Sequence, residues 1–151
     1  MTVNPFDIKA ALEAKHAQHV VLIHFPIALF LAAVVFDYIA QWTKNRSLAA
    51  AAYFNLLLAA IFTVPVVATG LAAWQWELEG QKLKGILLMH LVLGSVSSVL
   101  IWVVYWIHRR ARVHPEKAMP NYRLVLEALA VLVVMLTGHL GGFLSGVNLP
   151  G

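Results

Sequence analysis

The sequence predicts an all-α membrane protein: a four-helix transmembrane bundle with up-down-up-down topology. Three observations predict it. The chain of 151 residues is 61% hydrophobic and only 12% charged, against roughly 25% charged in a soluble domain. So short a chain cannot hide that much apolar surface in one aqueous core. The apolar residues gather into four stretches, each at or above the ~20 residues that cross a bilayer. The polar connections between them are short, which makes neighbouring helices antiparallel. Residues 1–17 read as an N-terminal interfacial segment and residues 18–151 as the transmembrane domain.

In the N-terminal segment, Asn4 and Pro5 suit an N-cap and a first helical position. Phe6, Ile8 and Leu12 alternate with Asp7, Lys9, Glu13 and Lys15, predicting a short amphipathic helix at the membrane surface over residues 4–17. No cleavable signal peptide is evident in these residues. The first membrane helix is expected over 20–42, with Pro26 either opening its straight part or kinking its first turns. Asp37 lies near its far end and is expected to pair with the neighbouring Lys44 and Arg46. The second helix is expected over 49–76, bent at Pro65, with Thr69, Gly70 and Ala73 allowing a close helix contact. The third is expected over 86–107. Its His90 is followed by Gly94, Ser97 and Ser98 on the same face. The fourth is expected over 124–146 and contains His139 with Gly138, Gly142 and Gly146.

Charge sets the orientation. The loops after the first and third helices hold Lys44, Arg46, Arg109, Arg110, Arg112, Lys117 and Arg123. The opposite side holds Lys9, Lys15, Lys82 and Lys84, offset by acids. The positive-inside rule puts the basic loops in the cytoplasm and both termini on the periplasmic side. The net charge of +4 is thereby explained by topology, with no nucleic acid as partner. His19, His24, His90 and His139 then share the outer leaflet, with His24 and His90 about 6 Å and His139 about 10 Å inside their helix ends. His108 and His114 are expected in the cytoplasmic loop as solvated basic residues.

Polar residues are costly in a membrane and usually functional there. With no cysteine, any metal must be held by His, Met or carboxylate. Gly94 near His90 and Gly142 near His139 suit a flat porphyrin plate. This points to heme b, one or two groups, held by His24, His90 and His139 with His19 as a fourth candidate. A bis-histidine heme has no open coordination position and passes electrons. The alternatives are a non-heme copper or zinc site on the same histidines, with Glu77 nearby, and a cofactor-free structural membrane subunit. No Ser–His–acid arrangement, phosphate loop or paired membrane carboxylates are found, so electron transfer is favoured over an independent enzyme.

The run His19–Leu29 (HVVLIHFPIAL), TGLAAW at Thr69–Trp74, the isolated His90 and GHLGGFLSGV at Gly138–Val147 resemble the four-helix bacterial membrane family called domain of unknown function 2231. The chain departs from its pattern at Val20, where relatives carry proline, and near Leu144 and Ser145, where they carry tyrosine. The resemblance implies a multi-pass protein of the bacterial inner membrane, in contact with lipid. It also implies a periplasmic electron carrier such as a c-type cytochrome or Rieske protein as partner, beside other membrane subunits.

Overall fold

The computed structural model describes residues 17–76, 78–116 and 119–146. All secondary structure among them is helical: α1 (Ala17–Leu22), α2 (His24–Thr43), α3 (Arg46–Trp76), α4 (Gly85–Val113) and α5 (Tyr122–Leu144). Four spans are long and apolar enough to cross a membrane: Gln18–Thr43, which joins α1 to α2, then α3, α4 and α5. The expected surface helix over 4–17 lies, but for Ala17, outside the described residues.

The first span is interrupted at Ile23. Pro26 has no N–H to offer the carbonyl of Leu22, and its ring crowds that carbonyl, so the turn before it opens. The helix resumes at His24 with Pro26 in its first turn. Lys44 then closes α2 in the left-handed conformation (φ 56°). Asn45 starts α3, its Oδ1 accepting from the backbone N–H of Ser47 at 2.9 Å and of Leu48 at 3.3 Å. That two-residue reversal sets α2 antiparallel to α3. Between α3 and α4 the chain turns through Glu79 and Gly80, both at positive φ, and Trp74 Nε1 donates to Gln81 O across the turn.

Two of the boundaries that differ from expectation move named residues. α4 runs to Val113, so His108, Arg109, Arg110 and Arg112 are helical and not in the loop. The arginines lie over aromatic rings: Arg109 4.9 Å from the Trp106 centroid and Arg112 4.6 Å from that of Tyr53. Their stems thus cover apolar surface while the charge reaches the interface. At the other end α5 stops at Leu144. Gly146 lies beyond it at φ +77°, so it forms a turn and is no part of a packing stripe.

The core is small-residue packing. Ala33, Ala52, Ala59, Ala60 and Ala130 are fully buried beside Phe30, Leu56 and Val104. Lipid is as apolar as leucine, so helices associate through close contact and polar bonds, and alanines permit that contact. The outward faces carry Val35, Leu58, Val64, Val99, Val125 and Leu132, all exposed to where lipid lies. Between the two ends of the bundle, residues 25–36, 54–76, 91–104 and 128–138 contain no titratable side chain.

Candidate functional sites at the two ends of the bundle

The expected histidines occupy one end. His19 meets the last turns of α3, and His90 meets the last turns of α5. Ile27, near the start of α2, lies where a Cβ on Gly138 of α5 would touch it. Residues from the starts of α1, α2 and α4 and the ends of α3 and α5 are thus at one end.

Local bonding fixes the imidazole tautomers. His24 Nδ1 lies 2.7 Å from Val20 O, and His90 Nδ1 lies 3.1 Å from Thr137 O. A carbonyl only accepts, so in each ring Nδ1 carries the proton and the neutral imidazole has its lone pair on Nε2. His19 Nδ1 lies 3.1 Å from Thr69 Oγ1. That hydroxyl already donates to Pro65 O at 2.8 Å, so His19 also donates through Nδ1. His139 is exposed, its ring edge-on to Phe143 with centroids 5.0 Å apart. His24 is exposed, whereas His19 and His90 are half-buried.

Two of these rings sit in seats made by glycine. A Cβ on Gly70 would lie 2.9 Å from His19 Cε1, and one on Gly141 would lie 3.1 Å from His90 Cε1. A helix can approach an imidazole this closely only without a side chain there. Gly141 and Thr137 did not emerge from the sequence as site residues, although both lie in the TGHLGG run that contains His139. The face of His90 bearing Gly94 and Ser97 is covered by α5. Gly94 faces Thr137, and Ser97 Oγ donates to Thr137 Oγ1 at 2.9 Å, that hydroxyl itself donating to Val133 O. Gly142 lies within α5 and its carbonyl accepts from Ser145 Oγ.

The opposite, basic end holds a group that sequence reading missed. Asp37 pairs with Arg123, Nε to Oδ2 at 3.0 Å, and not with Lys44 or Arg46. Arg123 Nη2 also donates to Gln41 Oε1 at 3.2 Å. His108 Nε2 lies 2.8 Å from Glu127 Oε1. Asp37, His108, Arg123 and Glu127 are 4% exposed or less, so His108 is a core residue and not a solvated loop histidine. Asp37 and Glu127 also correct the expectation that no membrane carboxylates are paired. Among the described residues, the group of three His or carboxylate ligand atoms within 4.8 Å of one another is Asp37, His108 and Glu127. The four histidines of the other end do not gather in that way, and Glu77 lies outside the described residues. Depth identifies the cluster in hindsight: Asp37 is six residues before the end of α2, and Glu127 five residues into α5.

Over residues 15–147 the chain matches the family described as "Predicted membrane protein (DUF2231)". No curated protein matches it, and no solved structure does.

Proposed function

We propose that this chain, which belongs to the family of domain of unknown function 2231, is a b-type heme protein of the membrane. It passes electrons at the end of the bundle that the positive-inside rule assigns to the periplasm. The observation that carries the reading is the bonding of the imidazoles. His24 and His90 each donate Nδ1–H to a backbone carbonyl, which leaves Nε2 as the basic nitrogen. Donating the other ring N–H to a carbonyl is how proteins orient a metal-ligating histidine and raise its basicity. The donor set, imidazole without thiolate, suits heme iron.

His24, His90 and His139 are the axial candidates, with His19 as the fourth. When bound, the heme would supply a one-electron couple. The rest falls to the chain. Val20 O and Thr137 O orient the His24 and His90 rings. Gly141 and Gly70 give two rings room. Phe25 and Phe62, stacked with centroids 4.9 Å apart, add apolar surface beside His24. The redox partner is a periplasmic c-type cytochrome or Rieske protein, with lipid and further membrane subunits around the bundle.

The test is a reduced-minus-oxidised absorption spectrum of protein purified from heme-replete cells, with the heme-to-protein ratio. Sharp bis-histidine bands that vanish in His24→Ala or His90→Ala are expected. A folded, colourless wild-type preparation refutes the reading.

A further inference from the structure

The buried cluster at the basic end has no part in the heme reading and needs its own account. We propose that Asp37, His108 and Glu127 form a binding site for one divalent transition-metal ion that prefers nitrogen and oxygen ligands: Zn²⁺, Mn²⁺ or Fe²⁺. Three helices deliver the ligands, Asp37 from α2, His108 from α4 and Glu127 from α5. One ligand atom of each lies within 4.8 Å of the other two.

Two further observations point to a cation. Glu127 is 1% exposed, and its Oε2 is buried without a hydrogen-bond partner. Buried carboxylates are otherwise paired or bound to metal. A proton on the His108–Glu127 contact satisfies Nε2 and Oε1 but leaves Oε2 unmet, whereas an ion beside the carboxylate satisfies it. Asp37 and Glu127 bring two negative charges and Arg123 one positive, so with His108 neutral the cluster is net negative and attracts a cation. Arg123 binds Asp37 through Oδ2 and orients the carboxylate as outer partners of metal ligands do. One imidazole with two carboxylates and no thiolate matches zinc, manganese or ferrous iron. Entry of the ion displaces any proton held on Nε2, so binding strengthens as pH rises.

The full-length protein in detergent, stripped with a chelator and reloaded with Zn²⁺ or Mn²⁺, is assayed by elemental analysis, with heme quantified separately. One equivalent of non-heme metal is expected. It should be lost in His108→Gln and Glu127→Gln and retained in His24→Ala and His90→Ala, so the result is independent of the heme reading. Co²⁺ added to wild type should give visible d–d bands without thiolate charge transfer, a readout that requires no variant to fold. Absence of stoichiometric uptake and of cobalt bands overturns the proposal and leaves the cluster to a proton alone. Uptake unchanged in both Gln variants overturns it equally.

Discussion

Replacing Gly141 by alanine separates a glycine that seats a ring from glycines that only bring helices together. The new methyl would lie 3.1 Å from His90 Cε1, inside the roughly 3.5–4.0 Å at which carbon atoms pack best. The ring must retreat by a few tenths of an ångström. Its Nδ1–H bond to Thr137 O is 3.1 Å long, near the upper end of the ordinary range, so the retreat weakens or breaks it. A lost hydrogen bond of this kind costs about 1 kcal/mol. Alanine returns up to about 1 kcal/mol through helix propensity, so net stability should hardly change. Gly138→Ala and Gly94→Ala meet their neighbours at 3.7 and 3.8 Å, ordinary contact. They should gain stability by up to about 1 kcal/mol. Unfolding in mixed detergent followed by helical circular dichroism measures the difference, and ¹⁵N NMR of the imidazoles reads the His90 tautomer. On the heme reading, Gly141→Ala should also weaken cofactor binding by roughly 5-fold, the equivalent of that hydrogen bond. If Gly141→Ala is stabilised as much as Gly138→Ala, with the His90 tautomer unchanged, the seat is not a seat.

Other substitutions probe the rest of the frame. Asp37→Ala strands Arg123 in a buried site and should cost about 3–5 kcal/mol; a double-mutant cycle with Arg123→Ala that proves additive would dismiss the pair. Trp102→Phe removes the Nε1–H donor to Thr63 Oγ1, 3.1 Å away. It should destabilise by about 0.5–1.5 kcal/mol, and by clearly less in a Thr63→Val background. Phe30→Ala empties a fully buried core position and should cost about 3–5 kcal/mol in the same unfolding assay; a loss below about 1 kcal/mol would mean the bundle collapses around the gap.

The spans were legible because hydropathy needs only local sequence, and the runs that resemble the family are likewise local. The tautomers of His24 and His90 were less so. His24 bonds to a carbonyl four residues back, across the break at Ile23, but His90 bonds to a carbonyl 47 residues away, and nothing in the sequence states that helix–helix register. The same limit misdirected Asp37. Lys44 and Arg46 are nearest along the chain, whereas Arg123 is nearest in space, 86 residues on. His108 was misplaced because the charged run from Arg109 looks like a loop. Helix α4 carries that run outward as its last turn, its arginines resting on Trp106 and Tyr53. Glu127 was visible as an acid well inside a membrane helix, and that position alone warranted attention.

The slab without titratable groups has an electrical consequence. Asp37 is thirteen positions after His24, about 20 Å along a helix at about 1.5 Å per residue. Lipid-exposed and free of ionisable side chains, this layer acts as the dielectric of a capacitor with a charged terminal at each end. Most of a transmembrane voltage must fall across it, and about 100 mV is worth about 2.3 kcal/mol per unit charge. An electron or ion held at one terminal therefore has an energy, relative to the other, set in part by the energised state of the membrane.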